Sequence, residues 1–153
     1  MVNFFYSLFF SIPKTIHYCW FGGKPLPPLA IKCLESWNKY LPDYEIIEWN
    51  ESNFPVNSIP YTKEAADKGK WAFVSDYARF YILYHNGGIY LDTDVEILKS
   101  LNPFLKHHSF SGFESKDRVA PGLILGAKKG CSLMKKLMNS YHERHFINQN
   151  GLL

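Results

Sequence analysis

Residues 86–97 (NGGIYLDTDVEI) place the strongest constraint on how this chain can fold. Two glycines end the preceding element, an apolar triplet follows, and two carboxylates, Asp92 and Asp94, stand one residue apart before apolar residues return at Val95 and Ile97. Isoleucine and tyrosine favour a buried, pleated strand. The pattern therefore predicts a strand, an acidic turn and a second strand.

The acidic turn itself suggests a site for a cation. Period-2 alternation turns Asp92 and Asp94 to the same side of the chain, and two carboxylates about 5 Å apart repel each other by roughly 3 kcal/mol at an effective dielectric of about 20. A divalent metal or a donor group is the expected third party. Hard oxygen ligands suit Mg²⁺ or Mn²⁺, which often combine one or two carboxylates with substrate phosphates and water. The alternative is a solvated turn whose carboxylates bond backbone N–H groups.

The preceding residues, 70–85, predict a helix because neither proline nor glycine interrupts them and Asn86-Gly87 supplies a C-terminal stop. Helical spacing puts Asp76 and Arg79 on one face. Apolar side chains cover much of the remaining surface, so the helix is expected to be largely buried. A buried aspartate and arginine need partners. Either they pair with each other, or they point into a cleft, Arg79 toward a phosphate or sugar oxygen and Asp76 toward sugar hydroxyls.

These motifs resemble a known family. Ser75-Asp76-x-x-Arg79 followed by residues 87–94 (GGIYLDTD) is similar to the donor-binding core of glycosyltransferase family 32, the glycosyltransferases with a sugar-binding DXD region. That family resembles the yeast initiating mannosyltransferases and, more distantly, the glucosylating domains of large clostridial toxins. Residues 12–23 (IPKTIHYCWFGG) look like its first strand, and the resemblance extends to about residue 137.

The resemblance implies an α/β fold, a single Rossmann-like nucleotide-diphospho-sugar transferase domain of the GT-A type with a mixed central sheet flanked by helices. It also implies a metal-dependent, retaining transfer of a hexosyl unit to an acceptor hydroxyl. The donor would be a UDP- or GDP-linked sugar and the cofactor Mn²⁺ or Mg²⁺. The acceptor would be a glycan, such as a bacterial surface polysaccharide, or a lipid-linked glycan.

The same resemblance assigns roles to residues of this chain. Asp94 would ligate the metal, and Asp92 would contact the ribose or donor sugar and support the metal. Asp76 and Arg79 would orient the sugar, with Arg79 also favouring the departing diphosphate. Trp20 would stack on the nucleotide base, or it would be a core residue. Asp92, Asp94 and Arg79 are thus the predicted catalytic residues, and no catalytic base or nucleophile is assigned.

Further elements follow from local patterns. Strands at 14–21 and 44–49 enclose a helix at 29–41, which predicts a parallel β-α-β unit. The remaining predicted elements are a short helix at 62–68 with Thr62 as its cap, strands at 109–114 and 123–127, and a helix at 132–143. His17 is expected to be structural.

Two rival functions stay open at this point. One is another divalent-metal enzyme of phosphate esters, which would need further ligands. Alternation places Glu96 with the two aspartates, and Glu114 is the later carboxylate that merits attention. The other rival is a nucleotide-sugar-binding remnant that has lost turnover.

Length and composition predict one domain at residues 12–147, between an apolar extension at 1–11 and a tail at 148–153. The extension is too short to span a bilayer, which needs about 20 apolar residues. It would contact a membrane interface, be covered by a partner or pack on the domain. Family members are longer, so the chain is expected to be truncated or completed by a partner.

The net charge and the cysteine content limit the possible partners and the cellular location of the protein. A formal charge of +3 without a basic cluster argues against a nucleic-acid partner and is compatible with peripheral contact at an anionic membrane. Two of the three cysteines could pair, but without CxxC spacing reduced thiols are the simpler account, which predicts a cytoplasmic protein.

Overall fold

The computed structural model describes residues 11–147. The predicted apolar extension, apart from Ser11, and the predicted tail at 148–153 lie outside the described residues. None of the helices within 11–147 combines the length and the apolar character needed to cross a bilayer.

A mixed sheet forms the centre of the fold, as the sequence predicted. Its strand order is β2-β1-β3-β5-β4. β1 runs parallel to both β2 and β3, whereas β5 runs antiparallel to β3 and β4. The five strands are β1 (Thr15–Cys19), β2 (Glu45–Trp49), β3 (Gly88–Tyr90), β4 (Ser109–Ser115) and β5 (Arg118–Ala127).

Helices cover both faces of this sheet. Successive residues of a strand point to opposite faces, and Ile16 and Ile89 join one apolar cluster while Cys19 and Tyr90 join another. The first cluster packs on α1, which contributes the fully buried Trp37, and the second on α3. The helices are α1 (Pro28–Tyr40), α2 (Pro60–Asp67), α3 (Trp71–Asn86) and α4 (Ser132–Asn139), with 3₁₀ turns at Val56–Ser58 and Asn102–Phe104.

Two consecutive glycines let α3 pass directly into β3. Gly87 caps α3 with φ of 69°, and Gly88 begins β3 with φ of 105°. A Cβ on Gly88 would lie 2.7 Å from the carbonyl oxygen of Thr15 and 2.8 Å from Nε2 of His17. Only glycine allows β3 to approach β1 this closely with such a backbone, so the Gly-Gly pair fixes where the acidic turn emerges.

His17 is a structural residue, as predicted. Trp49 Nε1 donates to His17 Nδ1 at 3.0 Å, and Nε2 lies 2.9 Å from the carbonyl oxygen of Gly87. Because an indole N–H can only donate, Nδ1 is the acceptor and Nε2–H donates to Gly87. Burial lowers the pKa of His17 to about 4, against the raising effect of the Gly87 hydrogen bond.

The predicted second strand after the acidic turn is absent: residues 91–101 are irregular. Side chains of α1 satisfy this segment instead. Trp37 Nε1 donates to the carbonyl oxygen of Val95 at 2.7 Å, and the amide of Ile97 donates to Ser36 Oγ at 2.9 Å. The prediction was wrong because helix side chains replace the partner strand that a ladder would require.

Three further boundaries differ from the prediction. Thr62 is not a cap, because α2 already begins at Pro60 and the buried Thr62 hydroxyl donates to the carbonyl oxygen of Val56 at 2.6 Å. The last helix ends at Asn139 rather than at residue 143. β5 begins at Arg118, well before the predicted residue 123, because it forms a hairpin with β4.

Candidate active site

A cleft of about 960 Å³ lies where the sheet meets the start of α3. Trp20 follows the carboxyl end of β1 and Asp92 follows that of β3, and ligands of open α/β sheets gather at such ends. All the predicted site residues line this one cleft: Trp20, Asp76, Arg79, Asp92 and Asp94. The hairpin of β4 and β5 forms part of its wall.

Arg79 is the centre of the polar network. Its side chain is 10% exposed, and NH2 lies 3.0 Å from Oδ1 of Asp76 and 3.6 Å from Oδ1 of Asp92. Nε donates to the carbonyl oxygen of Ser75 at 3.2 Å, and Cζ lies 5.0 Å from the ring centre of Tyr90. Asp76 and Arg79 therefore bond each other and also face the cleft, and their predicted contacts to a phosphate and to sugar hydroxyls stay predictions.

Asp92 is held by two protein groups. The hydroxyl of the buried Tyr90 donates to its Oδ1 at 2.9 Å, and Arg79 approaches the same oxygen. Burial raises the pKa of Asp92, although Arg79 and the Tyr90 hydrogen bond act in the opposite direction. The sequence predicted a metal or a donor group beside the two carboxylates. For Asp92, Arg79 and the Tyr90 hydroxyl take that position.

Asp76 experiences the same balance. Burial raises its pKa, Arg79 lowers it and the neighbouring Asp92 raises it. Both carboxylates therefore favour a cationic or hydroxyl-bearing ligand that would replace lost hydration.

Asp94 differs from Asp92. It is exposed at the cleft, and within the part of the chain that the structure describes no hydrogen bond or ion pair involves its carboxylate. Glu96 does not join the two aspartates, as alternation had suggested, because it lies outside the cleft and pairs with Lys32 of α1 at 3.6 Å. The expectation was wrong because Trp37 and Ser36 of α1 bond this segment, so that it is not a strand with alternating side chains.

The donor atoms fit a hard divalent cation bound together with substrate. No group of three His, Cys, Asp or Glu side chains in residues 11–147 forms a ready cage. Mg²⁺ and similar ions need only one or two carboxylates when substrate phosphates and water complete the shell. Asp94, with the remaining oxygen of Asp92, matches that requirement.

Trp20 is half-buried and lines the cleft. Its indole N–H donates to the carbonyl oxygen of Lys24 at 2.6 Å, and its ring also packs against the apolar cluster that contains Tyr18 and Trp37. The ring is therefore fixed in orientation at the cleft, and its predicted stacking on a base stays a prediction.

Gly122 is the site residue that sequence reasoning missed. Its carbonyl oxygen accepts from the amide of Asp92 at 2.9 Å. A Cβ at this position would lie 2.1 Å from Oδ2 of Asp92 and 2.8 Å from NH1 of Arg79. A glycine inside a strand signals a bulge or a close backbone approach. The strand was predicted to begin only at residue 123, so Gly122 was not recognised as a strand glycine.

Glu114 and Cys19 also line the cleft. Oε2 of Glu114 lies 3.9 Å from NH1 of Arg118. Cys19 lies at the floor of the cleft, where burial raises the pKa of the thiol to about 12, so the thiol stays protonated. Cys19, Cys33 and Cys131 are all free.

A mixed sheet flanked by helices, with an Asp-x-Asp turn at a cleft of about 960 Å³, is the arrangement of GT-A glycosyltransferase folds. Comparison with known proteins agrees. Residues 27–111 match the family described as glycosyltransferase sugar-binding region containing DXD motif. The chain belongs to this family, which confirms the family and the fold predicted from its sequence.

Two curated relatives are similar over much of the chain. Inositol phosphoceramide mannosyltransferase 3 of Schizosaccharomyces pombe is 29% identical over 133 residues, covering 78% of this chain and 34% of that protein. The uncharacterized glycosyltransferase L373 of Acanthamoeba polyphaga mimivirus is 36% identical over 100 residues, covering 61% of this chain and 40% of that protein. The chain thus spans well under half the length of these relatives.

Among solved structures, PaToxG Glycosyltransferase superposes with a TM-score of 0.71 at 17% identity. The match covers 92% of this chain and 66% of that one. It establishes the shared fold.

Proposed function

We propose that the chain is a metal-dependent, retaining glycosyltransferase that moves a hexosyl unit from a nucleotide-diphospho-sugar to an acceptor hydroxyl. The observation that carries the proposal is the convergence of Asp76, Arg79, Asp92 and Asp94 in one cleft. These residues come from two motifs, and folding places NH2 of Arg79 3.0 Å from Asp76 and 3.6 Å from Asp92, with Asp94 in the same cleft.

Asp94 would hold Mn²⁺ or Mg²⁺, with Asp92 in support. When bound, the ion supplies charge neutralisation at the donor diphosphate. Asp92 is already fixed by Tyr90 and Arg79, so it is suited to orienting the ribose or the donor sugar. Asp94 has no such contact among residues 11–147 and is suited to be the direct ligand.

Arg79 and Asp76 would orient the donor sugar. The arginine is buried and held by Ser75 and Asp76, so little reorganisation is needed when negative charge develops on the departing diphosphate. The Asp76 carboxylate would accept hydrogen bonds from sugar hydroxyls.

Retention needs either a carboxylate nucleophile or attack on the same face that the leaving group departs from. The second route is proposed here, with the leaving phosphate accepting the proton of the acceptor hydroxyl. Asp76 and Asp92 are both paired with Arg79, and no carboxylate of the cleft is assigned as the nucleophile.

The remaining assignments concern partners and location. Trp20, fixed by Lys24, would stack on the base of UDP or GDP. Relatives named for inositol phosphoceramide support a lipid-linked acceptor, and a glycan is the other acceptor class. The three free cysteines support a cytoplasmic location, with peripheral membrane contact as part of the proposal.

Calorimetric titration tests the donor site. UDP, GDP, UDP-glucose and GDP-mannose are titrated with and without Mn²⁺ into the wild type, Asp94→Ala and Glu96→Ala. Glu96 is the matched control because it is an exposed acid of the same segment that lies outside the cleft. We expect metal-dependent binding of one nucleotide, lost in Asp94→Ala and kept in Glu96→Ala.

Hydrolysis of the bound donor then separates an enzyme from a remnant. Release of free hexose by the wild type supports turnover. Nucleotide binding without any hydrolysis or transfer would favour the binding remnant, and no binding by a folded chain would overturn the proposal. Hydrolysis of simple phosphate monoesters in place of the nucleotide-sugar would favour the rival phosphate-ester enzyme.

A further inference from the structure

The hairpin of β4 and β5 is irregular where it borders the cleft. Its register passes from Ser111↔Leu125 directly to Gly112↔Ala120, which leaves residues 121–124 outside the ladder. A second shift between Phe113 and Ser115 leaves Glu114 outside it. The ladder is therefore interrupted on both strands within a few residues.

These interruptions change where side chains point. In a regular strand Phe113 and Glu114 would face opposite sides of the sheet, yet both line the cleft. Leu123, from the interrupted part of β5, joins them there. Bulges change the direction of side chains and are frequent beside active sites. The irregular part of the hairpin is therefore a candidate ligand-binding wall of the cleft.

The wall combines apolar surface with a carboxylate. Phe113 is 68% exposed and Leu123 is 38% exposed. Glu114 has a side chain 60% exposed, and its partner Arg118 is more exposed still. Large exposed apolar side chains at a cleft mark a binding surface when they adjoin polar groups. An aromatic ring beside a carboxylate suits a sugar ring, whose C–H face packs on the aromatic and whose hydroxyls donate to the carboxylate.

We infer that Phe113, Glu114 and Leu123 form the acceptor subsite and bind a hydroxylated saccharide ring. Naming this ring the acceptor rests on the proposed function, in which the opposite elements of the cleft hold the donor. The acceptor hydroxyl has to enter the same cleft, and the hairpin wall carries none of the donor assignments.

An NMR titration of the ¹⁵N-labelled full chain tests the subsite. The probes are methyl α-glucoside, methyl α-mannoside and methyl α-galactoside, with the wild type, Phe113→Ala, Glu114→Gln and Val119→Ala. Val119 is the matched control because it pairs with Phe113 across the hairpin and is 51% exposed, but does not line the cleft. We expect one glycoside to shift the amide signals of the hairpin, with a Kd raised about tenfold or more by Phe113→Ala and by Glu114→Gln and unchanged by Val119→Ala.

Contrary outcomes are equally specific. If none of the glycosides binds the wild type, or if Val119→Ala weakens binding as much as Phe113→Ala, the inference is wrong. Octyl glycosides serve as a second arm: a Phe113→Ala effect confined to them would assign the wall to an alkyl chain and overturn the ring assignment. A chain that binds glycoside but no nucleotide would refute the proposed function and leave the saccharide subsite intact.

Discussion

Gly122 gives the sharpest test of how the cleft is built. In Gly122→Ala the new Cβ would lie 2.1 Å from Oδ2 of Asp92, whereas ordinary contacts begin at 3.4 Å. The carboxylate must therefore retreat by roughly 1 Å, and a displacement of about that size can cost about 10²-fold in rate. NH1 of Arg79 lies 2.8 Å from the same Cβ position, so both groups are disturbed together.

The variant should lose function while it remains folded. Insertion of one methyl group into a packed site costs about 1–3 kcal/mol. The loss of function follows from geometry, because the retreat breaks the bond between Asp92 and Tyr90 and the pairing with Arg79. We expect metal-dependent donor hydrolysis to fall about 10²-fold while the variant remains folded by circular dichroism.

A matched glycine separates the two effects. A Cβ on Gly112, in the partner strand, would lie 2.8 Å from Cγ2 of Ile124, a residue that does not line the cleft. Gly112→Ala should lower the unfolding midpoint without a comparable loss of hydrolysis. In an Asp92→Asn background, Gly122→Ala should cost much less than it does alone. Full activity in a folded Gly122→Ala protein, or an equal loss in Gly112→Ala, would refute this account of Asp92.

Three further predictions follow from single contacts. Arg79→Lys keeps the charge but loses the fork that reaches Asp76 and Asp92, so donor affinity measured by calorimetry should fall by about 1.5–3 kcal/mol; an unchanged affinity would contradict the bridging role. The pKa of His17 is about 6.5 in the unfolded chain but about 4 in the folded chain. The free energy of unfolding should therefore fall by up to about 3 kcal/mol as the pH is lowered from 6.5 to 4. In urea unfolding, His17→Gln should not show this fall. Gly88→Ala should lower the free energy of unfolding by roughly 2–5 kcal/mol, because its Cβ would meet the backbone oxygen of Thr15 at a positive φ. Gly23 also has a positive φ, of 65°, but no atom within 4 Å, so Gly23→Ala should cost only about 1–2 kcal/mol. Thermal or urea unfolding measures both.

The parts of the fold that sequence predicted well are those determined locally. Helix α3 could be recognised because neither proline nor glycine interrupts its sixteen residues before the glycine stop. The parallel pairing of β1 with β2 followed from the helix between them. The placement of Asp76 beside Arg79 needed only helical spacing.

The parts that sequence could not give depend on contacts between distant segments. The segment after Asp94 alternates like a strand, but its backbone is bonded by Trp37 and Ser36 of α1. The register shift that brings Gly122 and Leu123 to the cleft depends on how β5 meets β4, and register is set by the whole sheet. The pairing of Arg79 with Asp92 joins two motifs whose separation along the chain reveals nothing about their distance in space.

The two aspartates of the Asp-x-Asp turn are chemically unequal in the folded chain. Asp92 already has a cation and a hydroxyl donor, so its repulsion with Asp94 is offset before any ligand arrives. Asp94 has no such partner among the described residues, so its charge is offset only when a ligand binds. The first carboxylate therefore belongs to the architecture of the cleft, and the second is available to what enters it. This inequality explains how a fold can maintain a paired acidic motif without a permanent metal cage.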